Sequence, residues 1–384
     1  MKADVIIVGA GIIGMSLALS LSKSNKKILI IEKNLLNSLK INRVYSISEK
    51  TKSFYKEINI WDNIDEVNNL ESMNIYYRNF NPKNLLSFSE KINKVKIGYI
   101  AQSKNISNSL LEKIKTDKNI SLLDNYKIND IENTSEGIKI NINDCECIEA
   151  RYLFSCEGSK SSIKRKLLEK NIYDDYNSKA LVFNIKHSIE NNNIAYQIFL
   201  KTGPVAFLPI SKNYFSMVVS IKNKYSEKKI FKEENIADFI KDITNNKFGN
   251  IKLINKPISF NLKGFDSENY KVGNILFVGD SAHSVHPLAG MGLNLGISDI
   301  IEIVNITNSN SLSFNNKNFY SKYARKQKII NKQARRQLKF IEKIYSMDNK
   351  LAESIIKNTM SAIQKSGFVK KKIIEHANNN LSFF

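Results

Sequence analysis

The feature that most constrains the fold is a strand, a glycine-rich turn and a helix at the start of the chain. An apolar run over residues 4–8 is followed by three spaced glycines, Gly9, Gly11 and Gly14. A helix-like segment over residues 15–22 then leads to a second apolar run over residues 27–31, and the acid Glu32 follows it. The first glycine of such a turn permits a sharp bend, the second permits close approach of a pyrophosphate, and the third lets the helix pack on the strand. The spacing therefore predicts a dinucleotide-binding βαβ unit whose acid accepts hydrogen bonds from an adenosine ribose.

The uncharged run from Val5 to Leu21 has two other interpretations, a signal peptide and a membrane-spanning helix. A signal peptide needs a basic segment and a small-residue cleavage site, whereas here Asp4 follows Lys2 and a second strand follows the helix directly. The run is also at the lower limit of length for a span. We therefore disfavour both, and because no later apolar run is long enough for a span, we expect a soluble or peripheral protein.

A second glycine-rich segment extends from Gly279 to Gly296, with the sequence Gly-Asp-Ser-Ala-His-Ser-Val-His-Pro-Leu-Ala-Gly-Met-Gly-Leu-Asn-Leu-Gly. It follows a strand-like run over residues 274–278 and leads into a helix-like run over 297–306. The N–H groups at a helix N-terminus attract an anion or an electron-rich ring edge. An ordinary strand–loop–helix connection has the same pattern, but the N-terminal unit favours a ligand-binding segment.

Composition limits the classes of partner. With 384 residues, 42% of them hydrophobic, the chain is long enough for two domains. The net charge of +21 would suit nucleic acid, anionic lipid or an acidic partner. Lysine, asparagine and isoleucine recur throughout, which indicates a compositional bias spread evenly over the surface, and no nucleic-acid-binding signature accompanies the charge. We therefore expect no nucleic-acid partner. Cys145, Cys147 and Cys156 are too few for a disulfide framework, which favours a reduced, cytoplasmic protein.

Three later segments extend this organisation. Residues 152–165 predict a strand, a turn at Glu157-Gly158 and a basic helix start, placed either to meet a ribose or phosphate or to cap the helix. Residues 179–221 alternate like an antiparallel sheet, and a cleft where such a sheet joins a nucleotide-binding domain is a common ligand site. Residues 319–350 form a basic helical pattern. We favour a packed helix with a solvated basic face over a helix that lies on a membrane surface.

Four of these segments together resemble the FAD-dependent aromatic hydroxylases, and more narrowly the ubiquinone-biosynthesis hydroxylases. They are the N-terminal turn with Glu32, the Glu157-Gly158 turn, residues 203–209 (Gly-Pro-Val-Ala-Phe-Leu-Pro) and residues 279–296, in that order. The resemblance implies the para-hydroxybenzoate-hydroxylase fold: a Rossmann-like α/β FAD-binding domain, an inserted antiparallel β-sheet substrate domain and C-terminal helices. The expected boundaries are 1–72, 98–170 and 266–310 for the FAD-binding domain, 73–97 and 171–265 for the substrate domain, and 311–384 for the helical region.

The resemblance also implies an activity. An FAD monooxygenase of this family uses NAD(P)H and O2, through a flavin C4a-hydroperoxide, to hydroxylate the ring of a polyprenylated phenol. The flavin carries the chemistry, so no dedicated acid or base is assigned. Pro287, Gly290 and Gly292 are expected around the flavin ring, where N–H groups of the following helix would stabilise anionic reduced flavin. The cofactor-binding residues implied by the resemblance are Gly9, Gly11, Gly14, Glu32, Arg43, Gln102, Glu157, Gly158, Asp280, Pro287, Gly290, Gly292, Leu293 and Asn294.

A lipid-like substrate suits a cytoplasmic protein that contacts the inner face of the membrane and works with other ubiquinone-biosynthesis proteins. It also suits a cleft lined by aromatic side chains such as Phe183, Phe199 and Phe207. Because His283 and His286 are three residues apart without a third ligand at a convincing spacing, we expect no metal.

The chain departs from the family pattern at several positions. Relatives usually carry Asp at the position of Glu157, Arg at Lys164, Gln at Met291 and Arg at Ser298. The changes at Glu157 and Lys164 keep the charge but alter reach and geometry where the reductant is expected. Two alternatives therefore stay open: another flavin chemistry on the same fold, such as an isoprenoid reductase or an epoxidase, and a flavin-binding scaffold subunit without turnover.

Overall fold

A computed structural model describes residues 2–40, 43–143, 146–167, 171–190, 193–225, 233–284, 291–309, 314, 316, 318–347 and 349–379. The N-terminal apolar runs form the centre of a six-stranded sheet. Its strands are β1 (Val5–Val8), β2 (Ile28–Glu32), β8 (Ile120–Asp124), β12 (Tyr152–Ser155), β19 (Lys271–Val272) and β20 (Ile275–Phe277). The spatial order is β19-β20-β12-β1-β2-β8, and every neighbouring pair is parallel except β19–β20. Continuous apolar strands are expected here, because a parallel sheet is buried on both faces.

Three helices pack on this sheet: α1 (Ile12–Ser22), α5 (Ser103–Thr116) and α8 (Met291–Asn308). Helix α1 contacts both α5 and α8, and the buried apolar residues of all three except Leu295 belong to the same hydrophobic core as the central strands. Tyr320 and Tyr323 complete this core from further along the chain, and the Tyr323 hydroxyl donates to the carbonyl oxygen of Phe277 at 2.7 Å.

A nine-stranded sheet forms a second layer. Its strands are β5 (Ser72–Tyr77), β6 (Leu85–Ser89), β13 (Asn171–His187), β14 (Ile194–Leu200), β15 (Gly203–Ser211), β16 (Tyr214–Lys222), β17 (Ile251–Leu253), β18 (Ile258–Ser267) and β21 (His283–Ser284). The order is β21-β18-β13-β16-β15-β14-β5-β6, and β17 also pairs with β13. The pairs are antiparallel, as the alternation over residues 179–221 predicts, except that β14 and β5 run parallel.

Two three-stranded sheets connect to these layers. One contains β3 (Val44–Ile47), β4 (Asn68–Asn69) and β7 (Tyr99–Gln102), and the other contains β9 (Ile128–Asn133), β10 (Ile138–Ile142) and β11 (Glu146–Ala150). The remaining helices are α2 (Leu35–Lys40), α3 (Glu49–Glu57), α4 (Glu90–Asn93), α6 (Ser162–Leu167), α7 (Ile236–Thr244), α9 (Ser321–Ser346), α10 (Lys350–Lys365) and α11 (Gly367–Asn378).

The two faces of the nine-stranded sheet have different neighbours. One face packs with α7 in an apolar cluster that includes Phe207, Phe215 and Phe248. The other face meets the C-terminal helices in a cluster that includes Phe199 and Leu338. The α/β fold class predicted from the sequence is confirmed, while the predicted domain boundaries stay a prediction. Within the described ranges, no helix is both long enough and apolar enough to cross a bilayer.

Candidate functional site

The candidate site begins at one edge of the six-stranded sheet. Strands β2, β1, β12 and β20 are adjacent and parallel, so their carboxyl ends meet at that edge. Ligands of open α/β sheets bind outside the carboxyl ends of the strands. The residues singled out from the sequence lie at or just beyond the ends of these four strands: Gly9 after β1, Glu157-Gly158 after β12, Asp280 after β20, and Glu32 at the end of β2.

The three glycines after β1 are in different environments. A Cβ atom at Gly14 would lie 1.9 Å from the carbonyl oxygen of Gly9, and one at Gly9 would lie 2.6 Å from the carbonyl oxygen of Cys156. A Cβ atom at Gly11 would meet no heavy atom within 4 Å. Gly9 and Gly14 are therefore required by packing, whereas Gly11 borders open space. That space adjoins the unpaired N–H groups of the first turn of α1, which is the environment a pyrophosphate requires.

Glu32 fixes the glycine turn to the end of β2. The Glu32 side chain is buried and accepts hydrogen bonds from the backbone N–H of Ala10 at 2.7 Å and of Asn34 at 3.0 Å. An ionised carboxylate has about four acceptor positions, so two hydrogen bonds leave capacity for ribose hydroxyls. The structure places Glu32 beside the open space at Gly11.

The carboxylate of Glu157 caps a helix. It accepts from the hydroxyls of Ser161 and Ser162, both at 2.6 Å, and from the backbone N–H groups of Ser162 and Ile163 at 3.1 and 3.2 Å. These donors form the start of α6, so the structure agrees with the capping alternative for this side chain. Gly158 instead borders open space and has a φ of +74°, which favours glycine. A ligand role at this turn therefore depends on the backbone of Gly158 rather than on the carboxylate.

Asp280 follows β20 and lies among cationic side chains. Its side chain is exposed, yet desolvation by the surrounding protein raises the pKa of its carboxyl group. The positive charges of His283, Arg43 and Lys164 oppose this rise in pKa. Arg43, Lys164 and His283 therefore place positive charge around Asp280, which suits the diphosphate of a dinucleotide.

Arg43 and Gln102 are brought together by strand pairing. Arg43 immediately precedes β3, and its backbone N–H donates to the Ser103 hydroxyl at 2.7 Å, while Val44 pairs with Gln102 of β7. The Arg43 side chain is exposed and forms a hydrogen bond with the Tyr45 hydroxyl. Tyr45 was not among the residues that the sequence singled out. The Gln102 amide donates to Glu66 at 3.1 Å. The positive charge of Arg43 therefore lowers the pKa of Asp280, whereas the Gln102 side chain donates to Glu66 within the protein.

Lys164 is directed towards the nine-stranded sheet. The side chain is buried, and its Nζ atom lies 3.4 Å from the ring centroid of Phe265 on β18. Burial lowers the pKa of Lys164 to about 8, and the negative charges of Asp280 and Glu157 oppose this shift. The sequence indicated a side chain that turns back on the Glu157 loop. The structure places the ammonium over Phe265 at the joint between the two large sheets, within electrostatic range of both Asp280 and Glu157.

The glycine-rich segment after β20 is described only in part. Pro287 and Gly290, together with His286, fall at residues 285–290, outside the described residues. Gly292 is described, and a Cβ atom there would meet no heavy atom within 4 Å. Leu293 is buried in the core of the six-stranded sheet. The first turn of α8 therefore borders open space at Gly292 and is anchored at Leu293.

Asn294 attaches that first turn to β3 and α3. Its side-chain oxygen accepts from the Ser48 N–H at 3.1 Å and from the Thr51 hydroxyl at 2.8 Å, and its amide donates to the Ser46 carbonyl at 3.0 Å. The side chain is buried and its hydrogen-bonding groups are committed to the protein. Any role of Asn294 toward a cofactor consequently belongs to its backbone, as the sequence interpretation of residues 290–294 proposed.

A buried His–Asp pair supports the Asp280 turn. The Nε2 atom of His283 lies 2.7 Å from an Asp299 carboxylate oxygen, and the same oxygen accepts from the Gly279 N–H at 2.9 Å. Burial disfavours the imidazolium, but the negative charges of Asp299, Asp280 and Asp266 outweigh it, so the pKa of His283 is raised. The raised pKa favours the charged imidazolium, which pairs with Asp299 next to the Asp280 turn. In the described part of the chain, no group of three side chains could hold a metal ion.

Sequence reasoning missed the ion pair behind this histidine. Arg335 of α9 lies 3.3 Å from the carboxylate of Asp266, which also accepts from the Tyr270 hydroxyl at 2.8 Å. The sequence assigned Arg335 to a solvated basic face, but its side chain is mostly buried. One signal was available: Arg335 is four residues after Asn331 and three before Leu338, both buried, so it adjoins the packed side of the helix.

The expected aromatic lining is wrong. Phe183 and Phe207 are buried on the side of the nine-stranded sheet that packs with α7, and Phe199 stacks on Tyr345 of α9 with ring centroids 3.7 Å apart. Side chains alternate between the faces of a strand, so the opposite face of β15 presents Ala206 and Leu208 instead. The open part of that face is therefore lined by small and aliphatic side chains.

Comparisons with known proteins agree with this arrangement. The family described as FAD binding domain matches residues 2–306. The ubiquinone biosynthesis monooxygenase COQ6 of Dictyostelium discoideum is 25% identical over 368 residues, covering 77% of this chain and 74% of that protein. The ubiquinone hydroxylase UbiM of Neisseria meningitidis is 22% identical over 311 residues, covering 78% of this chain and 67% of that protein.

Solved structures show the same fold. The p-nitrophenol 4-monooxygenase PnpA of Pseudomonas putida aligns over the full length of both chains with a TM-score of 0.81 and 12% identity. PqsL of Pseudomonas aeruginosa aligns with 93% of this chain and all of its own, with a TM-score of 0.74 and 17% identity. Since the family match spans most of the chain, the protein belongs to the FAD binding domain family, and the predicted resemblance to FAD-dependent ubiquinone-biosynthesis hydroxylases, with its monooxygenase class, is confirmed.

Proposed function

We propose that this FAD monooxygenase uses NAD(P)H and O2 to hydroxylate the aromatic ring of a polyprenylated phenol in ubiquinone biosynthesis. The open space at Gly11 and the positive charges of Arg43 and Lys164 near Asp280 support the FAD site. The substrate class rests on one observation, an apolar face of the nine-stranded sheet that adjoins this site. The names of the relatives COQ6 and UbiM support the pathway.

The sheet face is located by its contacts. Ala195 of β14 and Leu208 of β15 belong to an apolar cluster with Val44 and Ile100, which lie on the strands beside Arg43 and Gln102. Gln197 follows Ala195 by two residues and Ala206 precedes Leu208 by two, so both lie on the same face, where they pair with each other. They therefore lie next to the apolar cluster that joins the nine-stranded sheet to β3 and β7, and Gln197 contributes a buried amide there.

From Gln197 the face continues as an apolar row across four strands. Neighbouring residues in strand register are Ala206, Val218, Val182 and Ile258. The first three are partly exposed, Ile258 is 65% exposed, and Phe260 beside it on β18 is 46% exposed. An apolar row that leads from a buried amide to the surface suits a phenol with a long isoprenoid tail. The ring would lie near Gln197 and the tail would follow the row outward.

Each part of the chain has a distinct task in this reaction. When bound, the flavin is reduced by NAD(P)H, activates O2 and supplies one oxygen atom to the ring. Arg43 and Lys164 balance the diphosphate charge, and Asn294 holds the first turn of α8 against β3 so that its N–H groups are fixed in place. The apolar row orients the ring and excludes water. Other ubiquinone-biosynthesis proteins and a membrane surface are the partners that we propose for a lipid-soluble substrate.

A spectroscopic experiment tests the proposal. The purified protein should show oxidised-flavin absorbance at roughly 370 and 450 nm, which NADPH should bleach without oxygen and air should restore. A prenylated phenol should accelerate the bleaching, and the product should gain one oxygen atom by mass spectrometry. Flavin that NADPH never reduces, with the phenol present, would contradict the hydroxylase and favour a scaffold subunit. Reduction that yields no oxygenated product would favour a reductase.

Filling the apolar row should block the substrate and spare the cofactor. In Ala206→Phe the added ring occupies the partly exposed centre of the row, so we expect turnover with a prenylated phenol to fall by about tenfold or more. Flavin content should stay unchanged, because Ala206 lies on the sheet rather than at the glycine turns. Ala362→Phe, at an exposed position of α10, is the matched control. Equal turnover in the two variants would contradict the placement of the substrate.

A further inference from the structure

The positive charge of the chain is concentrated near its C-terminal end. Residues 311–384 contain sixteen lysines and arginines and four acids, so less than a fifth of the sequence carries +12 of the net +21. The even distribution suggested by composition is therefore wrong. Helix α9 is the largest contributor, and Glu342 is the single acid in its sequence.

The exposed residues of α9 form one continuous face, which we call the cationic face. They recur every three or four residues, the spacing of one side of a helix. The cationic face consists of Lys322, Arg325, Lys326, Ile329, Lys332, Gln333, Arg336, Lys339, Phe340 and Lys343. The opposite side is buried at Tyr323, Gln327, Asn331, Ala334 and Leu338. With 1.5 Å of rise per residue, the cationic face is about 32 Å long.

Two large apolar side chains lie within the cationic face. Ile329 is 68% exposed and Phe340 is 65% exposed. They are eleven residues apart, almost three whole helical turns, so they project from the same side. A helix side that combines lysine and arginine with isolated large apolar residues is typical of helices that lie in a membrane interface.

We propose that the cationic face of α9 binds an anionic lipid surface. The cationic face has seven cations and no acid among its ten residues, which complements anionic headgroups even though Lys326 pairs with Glu302 of α8. Ile329 and Phe340 would enter the acyl boundary beneath the headgroups. Nucleic acid would use the charges alone and would leave Ile329 in water, so lipid is the better match. The biological purpose of this lipid-binding surface rests on the proposed function, because a polyprenylated phenol dissolves in lipid.

The packed side of the same helix connects this surface to the substrate. Tyr345 stacks on Phe199, which is two residues from Gln197 on the same face of β14, and Arg335 pairs with Asp266 of β18. Helix α9 therefore lies between the proposed lipid surface and the sheet that carries the apolar row. A lipid-soluble substrate would leave the bilayer at the helix that borders its binding face.

Vesicle co-sedimentation of the flavin-loaded full-length protein tests the proposal. We expect binding to phosphatidylcholine vesicles that contain phosphatidylglycerol, little binding to pure phosphatidylcholine, and weaker binding as salt increases. The double variant Ile329→Ser/Phe340→Ser and the double variant Lys332→Gln/Arg336→Gln should each reduce the partition constant by about tenfold or more. Two matched controls should bind like wild type: Leu36→Ser/Ile92→Ser, which are 70% and 71% exposed, and Lys113→Gln/Lys115→Gln on the exposed side of α5.

The outcomes separate this inference from the proposed function. Equal losses in the control and α9 variants, or binding of an oligonucleotide without binding of vesicles, would overturn the lipid surface. Turnover of a short-chain, water-soluble phenol reports on the hydroxylase without any membrane. If the wild-type protein turns over the water-soluble phenol but does not bind vesicles, the lipid surface alone is refuted. If it binds vesicles but never oxidises NADPH, the proposed function alone is refuted.

Discussion

Gly11→Val should give a folded protein that does not retain FAD. A Cβ atom at this position meets no protein atom, and the backbone of Gly11, with φ −72° and ψ 177°, is extended, so a β-branched residue is tolerated. The added methyl groups instead occupy the space in which the pyrophosphate would approach α1. We expect FAD affinity to fall by roughly a hundredfold or more, because a few charge-assisted hydrogen bonds to the pyrophosphate would be lost. Flavin titration and thermal melting of the apoprotein measure the two quantities separately.

Gly14→Val should have the opposite profile. Its Cβ atom would lie 1.9 Å from the Gly9 carbonyl oxygen, so the helix must move away from β1. We expect a loss of at least about 3 kcal/mol in the free energy of unfolding, detected as a lower melting temperature in the apoprotein. Gly367→Val, where a Cβ atom also meets no atom within 4 Å, is the matched control and should keep both stability and flavin. If Gly11→Val binds FAD as tightly as this control, the open space at Gly11 is not the pyrophosphate site.

Asp299→Asn should destabilise the protein and change how its stability depends on pH. The substitution removes the charge that His283 faces at 2.7 Å in a buried site and weakens the acceptor of the Gly279 N–H. Breaking one side of a buried pair costs about 3–5 kcal/mol, and a near-isosteric amide should lose the lower part of that range. Urea unfolding measures the difference, with Asp242→Asn on the exposed side of α7 as the control.

The pH dependence follows from the raised pKa of His283. Such a group contributes its full stabilisation below the unfolded pKa, about 6.5, and loses it as pH rises through the higher folded pKa. Wild-type stability should therefore contain a component that declines above pH about 6.5. The variant should lack this decline, and burial of an unpaired imidazole should even reverse it. Parallel slopes in wild type and variant would show that His283 is neutral in the folded protein.

The sequence was most informative where local chemistry decides the structure. The strand, the three spaced glycines and Glu32 predicted the centre of the six-stranded sheet, because the residues that make the turn are adjacent in the chain. Long-range partners had no such signal. The pair of Arg335 and Asp266 joins α9 to β18, two elements far apart in the chain, and nothing local distinguishes Arg335 from its basic neighbours except its position beside Asn331.

Strand alternation alone also left one ambiguity. The pattern over residues 179–221 predicts which side chains share a face, but it does not show which face meets α7 and which meets the cofactor side. Phe183 and Phe207 were therefore assigned to the wrong side, since large aromatics are the usual lining of a pocket. Lys164 raised a similar difficulty, because a side chain of that length reaches either the Glu157 turn or the ring of Phe265.

The order of strands in the six-stranded sheet has a consequence for biosynthesis. The central strand β1 leaves the ribosome first, but its neighbour β12 begins only at Tyr152, and β20 begins only at Ile275. Tyr323, whose hydroxyl meets Phe277, lies later still. Such distant pairings fold slowly and leave apolar strands unprotected meanwhile. The nascent chain therefore carries the glycine turn of its cofactor site long before it can complete the sheet, so chaperones have an extended interval in which to act.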